Sequence, residues 1–366
     1  MFLKKISLTN FRNYDNLDLE FDKNINIFIG NNAQGKTNIL ESIYVLSISK
    51  SHRINKDLFL IKDNCLFTKI HGEIINYDKL NEFEILINKK GKRVSINSNP
   101  FRKISEYLSN INTIMFCPDD LEIIKGTPSE RRYFLNSSLS QFYSDYSLKL
   151  SKYNKLLKNR NEYLKNTEKI DKIYLKILTD KLINLNVDLI IYRRNYINEI
   201  NKYIVKIYKN LTNKDKISIK YDSFINNDIN EKNIKQEIQE KFDRVLENEI
   251  FQRTTLLGIH KDDFSIYIDD VKINNYGSQG QQRISILCLK LAEIDIYKER
   301  FNKKPIILLD DIFSELDSEK KENIIKYINS DMQVFITSTD LTNIDEKITK
   351  NADIFYVNDG KVIKRW

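Results

Sequence analysis

At 366 residues the chain is long enough to bury a sizeable core and, on length alone, to form two or three domains. A formal charge of +8 and a pI near 9.0 suit a polyanionic partner, nucleic acid above all, although Lys, Asn and Ile abound throughout and A/T-rich coding would give the same excess. Three scattered cysteines give no disulfide pattern, three histidines lack the spacing of a zinc site, and no uncharged apolar run reaches about 18 residues, so the expectation is a reduced, cytoplasmic chain with no membrane partner.

Residues 6–11 and 17–21 alternate apolar with polar around a turn-like 12–16, predicting a hairpin that leads into a strand at 26–29. That strand stops at Gly30. Gly30-Asn31-Asn32-Ala33-Gln34-Gly35-Lys36-Thr37 fits G-x-x-x-x-G-K-[ST], with a helix read from Asn38. Glycine is scarce, at 9 residues, so two at this spacing between strand and helix speak for a phosphate loop over a surface turn. Backbone N–H groups can curl around a phosphate there, and the helix N-terminus adds the positive end of its dipole. Lys36 can reach the β- and γ-phosphates, and the Thr37 hydroxyl can join the shell of Mg²⁺.

Residues 65–73, 83–88 and 93–97 read as short strands, with a turn at 88–91, which makes the N-terminal part mixed α/β with an antiparallel portion. From Thr127 the texture changes. Thr127-Pro128-Ser129-Glu130 has the form of a capping box with Pro at the first helical position. Apolar residues then recur at Leu135, Leu139, Phe142, Tyr146, Leu150, Tyr153 and Leu157, and again from Leu178 to Ile207, at the three-and-four step of a helix seam. Two long helices joined by a polar loop at 166–171 are predicted to pack antiparallel as an arm of roughly 50 Å, at about 1.5 Å per residue. The seam tyrosines are read as core and not as a base-stacking row. Residues 210–233 read as polar loop and 237–251 as a further helix.

After Gly258 the α/β texture returns: a hairpin at 264–268 and 271–273, buried strands at 305–309 and 334–337, and a last hairpin around Asn358-Asp359-Gly360. Ile306-Ile307-Leu308-Leu309-Asp310-Asp311 is a Walker B pattern, in which Asp310 can hold the metal and Asp311 can orient and deprotonate the attacking water. A bare Asp-Asp turn is the bland alternative. The phosphate loop in the same chain weighs against it. Gly277-Ser278-Gln279-Gly280-Gln281-Gln282-Arg283 precedes an amphipathic helix; taken alone its glycines could be a helix entry turn, but the spacing to Asp310 favours a second anion site, suited to a nucleotide bound by a partner protomer.

Gly277-Ser278-Gln279-Gly280-Gln281 resembles the ABC-ATPase signature, and Phe313-Ser314-Glu315-Leu316-Asp317 resembles its D-loop. More narrowly, Asn10-Phe11-Arg12-Asn13-Tyr14, Asn32-Ala33-Gln34-Gly35-Lys36-Thr37-Asn38, Phe116-Cys117-Pro118-Asp119-Asp120-Leu121, Arg131-Arg132-Tyr133-Phe134-Leu135, Gly258-Ile259-His260-Lys261-Asp262-Asp263 and the segment from Leu308 to Asp317 resemble the RecF family of bacterial DNA replication and repair proteins, in the family's order. The resemblance implies an α/β fold: an ABC-type P-loop ATPase head, with a mixed sheet and an antiparallel β part, carrying an inserted α-helical arm domain. It divides the chain into head 1–126 with Walker A, arm 127–250, and head 251–366 with signature, Walker B and D-loop.

The same resemblance implies ATP and Mg²⁺ as cofactors. Gly30, Asn31, Asn32, Ala33, Gln34, Gly35, Lys36 and Thr37 of one protomer would share the nucleotide with Ser278, Gly280 and Gln281 of another, with Lys36, Asp310 and Asp311 catalytic and Thr37 and Asp310 on the metal. It further implies a weak, DNA-stimulated ATPase that dimerises head to tail with ATP, closes on DNA at gaps or single-strand/double-strand junctions, works with RecR and RecO to load RecA, and takes part in the SOS response. Three residues depart from the ABC pattern: Gln279 for Gly in the signature, Asp311 for the usual Glu, and Thr339 where transporters place His. The shorter Asp311 carboxylate predicts slow turnover. An ATPase head of a nuclease or defence system is the main alternative, but no acidic cluster for a nuclease follows Asp340; a transport subunit would not need so long an arm. Which surface meets DNA, and what His260 and Lys261 touch, stay open in the sequence.

Overall fold

The computed structural model describes residues 1–76, 78–227, 229–314, 321, 324, 327, 328, 331–342 and 344–365. They fall into two compact units, Met1–Asp120 with Leu287–Trp366, and Leu121–Ile286. The first unit holds two sheets. One is antiparallel, in the order β2-β1-β4-β5-β6-β7, from β1 (Phe2–Phe11), β2 (Tyr14–Glu20), β4 (Phe67–Asn76), β5 (Lys79–Asn88), β6 (Gly91–Ile96) and β7 (Asn99–Pro100). Its strands alternate as the sequence predicts: Phe83, Ile85 and Ile87 of β5 are buried, while Glu82 and Glu84 face the other way.

The other sheet runs β15-β14-β3-β13-β12-β8, from β3 (Ile25–Ile29), β8 (Thr113–Phe116), β12 (Ile306–Asp310), β13 (Val334–Ser338), β14 (Ala352–Asn358) and β15 (Lys361–Arg365). All its pairings are parallel except β14 with β15. Every residue of β12 and β13 is buried, which is why both read as apolar runs up to their polar carboxyl ends, Asp310 and Thr337-Ser338. Helix α1 (Lys36–Ile48) touches strands of both sheets and is buried nearly all round, so it carries apolar residues on most sides, with Glu41 and Ser42 buried among them. Phe21, Phe28, Phe335 and Phe355 interlock in this core, with ring centroids 4.9 to 6.5 Å apart.

The second unit is mainly helical: α2 (Pro128–Phe142), α3 (Ser144–Asn166), α4 (Lys172–Thr212) and α5 (Glu231–Gln252), with α6 (Gln279–Phe301) beginning in it. Arg160 meets Thr179, Lys149 meets Asp188 and Tyr143 meets Tyr192, so α3 and α4 pack antiparallel as predicted. Tyr146, Tyr153 and Tyr196 are fully buried, which removes them as base-stacking candidates. A buried ion pair, Arg160 to Glu249 at 2.6 Å, ties α3 to α5, and Thr179 and Thr255 accept from the guanidinium Nε and Nη1.

The structure corrects three local readings. The first seam is two helices and not one, because Tyr143 turns extended (φ −137°, ψ 109°) and packs its ring on Tyr192. The Thr127 side chain makes no cap bond; its carbonyl instead accepts the Glu130 N–H at 3.0 Å, leaving Pro128 as the start signal. Within 210–233 lies a strand, β9 (Ile217–Asp222), which buries Ile217, Ile219 and Tyr221 and pairs with β10 (Asp263–Ile268); β11 (Val271–Lys272) completes that sheet. Its alternation was present in the sequence, but the partner strand lies some 40 residues on.

Candidate nucleotide-binding site

β3 delivers the chain to Gly30, and the turn into α1 runs through Ala33 (φ +66°) and Gly35 (φ +113°). Glycine is required at both ends of this loop. A Cβ at Gly30 would lie 2.2 Å from the Val357 carbonyl oxygen, and one at Gly35 would lie 2.6 Å from the Tyr14 hydroxyl in a backbone conformation that L side chains rarely adopt. The Lys36 ammonium folds back over the loop, donating to the carbonyls of Gly30 at 2.6 Å and Asn31 at 2.8 Å. Burial lowers its pKa, opposed by the negative charges of Asp311 and Asp310.

Parallel pairing of β12 with β13 and of β13 with β3 brings the Walker B end beside the loop. Thr37 Oγ1 donates to Asp310 Oδ1 at 2.9 Å, and Thr337 Oγ1 donates to the same oxygen at 2.8 Å. Burial raises the Asp310 pKa; the two hydroxyls and the charge of Arg53 work against that shift, and Asp311 adds to it. Asp311 has a left-handed backbone (φ +51°), and its N–H donates to Thr337 Oγ1 at 2.9 Å. Thr337 therefore fixes both acids. One hydroxyl and one carboxylate are hard oxygen donors that fit Mg²⁺, and among the described residues no cluster of three or more His, Cys, Asp or Glu could hold a metal alone, so phosphate and water oxygens would complete the shell.

The sequence reading missed what holds the loop. Tyr14 donates to the Gly35 carbonyl at 3.1 Å and Asn13 to that of Gln34 at 3.3 Å, while Asn38 donates to Asn13 at 2.8 Å. From the opposite side, the Asp359 N–H donates to Gln34 Oε1 at 2.5 Å and the Gly360 N–H to the Gln34 carbonyl at 3.3 Å. The sequence marks the first turn as a hairpin and a segment of the family resemblance, and the second as a hairpin alone; neither reading ties them to the loop. Behind the loop, Arg12 forms a fork on Glu41 at 2.7 and 2.8 Å. Burial alone would raise the Glu41 pKa, but bonds from Arg12 and Ser51 hold it below the usual carboxylate value. His52 is pushed down to about 4 by burial, so it is neutral at physiological pH.

Gly30 to Thr37, Asp310 and Asp311 are thus brought together. Ser278, Gly280 and Gln281 lie in the other unit, at the start of α6. There the Ser278 N–H donates to Gln281 Oε1 at 2.8 Å and the Gln281 N–H to Ser278 Oγ at 3.2 Å, a reciprocal cap. A Cβ at Gly280 would meet nothing nearer than Ser278 Oγ at 4.0 Å, so nothing among the described residues requires glycine there. Thr339 donates to Asp340 at 3.3 Å. Phe313 is buried, and Glu315, Leu316 and Asp317 of the expected D-loop lie outside the described residues. His260 bonds Tyr153 at 2.7 Å within its own unit, and Asp262 sits buried beside Arg193 and Tyr221, so these two serve the core, while Lys261 is exposed.

The family model for the RecF/RecN/SMC N terminal domain matches residues 2–362. A "DNA replication and repair protein RecF" of Oenococcus oeni is 38% identical over 99% of this chain and 100% of its own, and that of Bacillus subtilis is 36% identical over 100% of both. Among solved structures, the recombination mediator protein RecF with ATP superposes at a TM-score of 0.93 and 33% identity, covering 100% of this chain and 98% of that one. The same mediator with ATPrS gives 0.90 at 32%, with the same coverage. An SMC head from Pyrococcus furiosus shares the fold, at a TM-score of 0.53 and 16% identity over 100% of this chain and 96% of that one.

Proposed function

This chain belongs to the RecF family of DNA replication and repair proteins, and we propose on that footing that it is an ATP-driven clamp on DNA. The observation that carries the reading is the convergence of Lys36 and Thr37, just after β3, with Asp310 at the carboxyl end of β12, two strands of one parallel sheet that flank β13. The solved relatives holding ATP and ATPrS support ATP as the ligand. In this reading the loop N–H groups bind phosphate, Lys36 turns from its two carbonyls to the β- and γ-phosphate oxygens, and Thr37 and Asp310 hold Mg²⁺, which supplies Lewis-acid charge. Asp311, anchored through its own N–H, orients a water and takes its proton.

Gly280 supports a shared site. A glycine in the first turn of a helix costs stability, and here no neighbour among the described residues demands it, so close approach by a phosphate from a second protomer accounts for it. The head of this switch comprises 1–126 and 251–366, and 127–250 forms its arm. Family membership extends the proposal: a cytoplasmic protein that closes as a head-to-tail dimer on gaps or single-strand/double-strand junctions, resets by weak DNA-stimulated hydrolysis, loads RecA with RecR and RecO, and supports the SOS response. Among the described residues no helix is long and apolar enough to cross a membrane.

Light scattering with and without ATP and Mg²⁺, on wild type and Ser278→Arg, tests the switch. Wild type is expected to dimerise on ATP and hold a gapped duplex, while the variant binds ATP yet stays monomeric. A wild type that ignores ATP in both respects overturns the clamp.

A further inference from the structure

The positive charge is not shared evenly between the two units. Residues 121–286 carry 29 Lys and Arg against 22 Asp and Glu, whereas the rest of the chain carries 30 against 29. A coding bias toward lysine would raise both alike. Nearly all of the +8 therefore belongs to the helical unit, and within it one stretch stands out. Lys202, Lys206 and Lys209 on the last turns of α4, and Lys214 and Lys216 in the turn to β9, are all exposed; none is in an ion pair among the described residues, and Asp215 is the one acid interspersed.

Other lysine-bearing surfaces are neutralised in part, although Lys155 and Lys165 on α3 are exposed without an ion pair among the described residues. On the exposed face of α3, Lys158 pairs with Glu162 at 3.8 Å and Lys152 acts on Asp145. On the outer face of the antiparallel sheet, Lys5 pairs with Glu20 and Lys69 with Glu84. Helix-dipole complementarity accounts for Lys209 in the last turn of α4, but not for the other four.

The geometry suits a phosphate backbone. Lys202, Lys206 and Lys209 follow an i, i+4, i+7 step, so they share one helix face over about 10 Å. The platform beneath is fixed: Asn201 donates to the Ile219 carbonyl at 2.7 Å and accepts its N–H at 2.8 Å, pinning α4 to the free edge of β9. Lysines are point charges without a fork to read base edges, so they bind phosphates irrespective of sequence.

We propose that the carboxyl end of α4 and the turn to β9, through Lys202, Lys206, Lys209, Lys214 and Lys216, form a surface that holds the backbone of duplex DNA. This rests on the DNA-clamp reading above. The test is the salt dependence of binding to a fluorescent duplex, with ATP and Mg²⁺, for wild type, K202Q/K206Q/K209Q, K214Q/K216Q and the α3 control K152Q/K155Q/K165Q. Each phosphate contact contributes about 0.9 to the slope of log K against log salt, so the helix variant is expected to lose roughly 2.7 and the turn variant roughly 1.8. The control keeps the wild-type slope, and circular dichroism and ATP affinity stay unchanged in all. Wild-type slopes in both lysine variants, or an equal loss in the control, overturn this surface while leaving the clamp standing. A wild type that holds no duplex at any salt overturns the clamp and the surface together.

Discussion

Asp310 Oδ1 accepts two hydroxyl protons in a buried setting, and the charge it carries there is costly. Its folded-state pKa lies above the ordinary carboxylate value. Asp310 therefore adds stability at acid pH, below its unfolded pKa, and that contribution is lost as pH rises through the raised folded value. Asp310→Asn, neutral at every pH, is expected to melt above wild type near neutral pH, with the gap closing toward about pH 4, and to lose ATP turnover; a gap constant with pH would place the cost elsewhere. Glu41 runs the other way, with its pKa held down, so it stabilises above the ordinary carboxylate range and the benefit is lost as pH falls. Arg12→Ala leaves that wholly buried carboxylate without its fork and is expected to cost about 3 kcal/mol in urea unfolding at neutral pH, since removing one partner of a buried pair strands the other. A loss under about 1 kcal/mol would mean that Ser51 and Arg53 suffice.

The elements show where local chemistry holds and where it yields. Asp171 caps α4 by accepting the N–H groups of Ile173 at 2.8 Å and Tyr174 at 3.3 Å. Asp171→Ala is expected to cost about 1 kcal/mol, read as a lower urea midpoint with an unchanged m-value. At Thr127 the capping motif is written but unused. The phosphate loop, by contrast, depends on other elements for its shape: the turns after β1 and β14 grip Gln34 and Gly35 from two sides, which lets Ala33 keep its positive φ.

For the whole molecule, the shared-site reading makes a prediction that stability alone would reverse. Gly280→Ala has room for its methyl among the described residues and removes a helical glycine, so the protomer is expected to be more stable by up to about 1 kcal/mol. ATP-driven dimerisation should nonetheless fail, since the methyl would occupy the place of a second protomer's phosphate. Sedimentation with ATP, set beside thermal melts, separates the two effects; a stabilised variant that still dimerises would remove Gly280 from the site.

The sequence by itself determined the phosphate loop, the Walker B acids, the two long helices and the buried parallel strands. Each of these is a local pattern: fixed motif spacing, a period of 3.6, or an unbroken apolar run. Only the tertiary structure decided that Thr337 ties Asp310 to Asp311, that Asn13, Tyr14 and Asp359 brace Gln34 and Gly35, that the first seam breaks at Tyr143, and that Ile217–Asp222 is a strand. The reason is range. Each of those facts is set by a partner between roughly 20 and 325 residues away, and neither periodicity nor turn chemistry carries information across such distances.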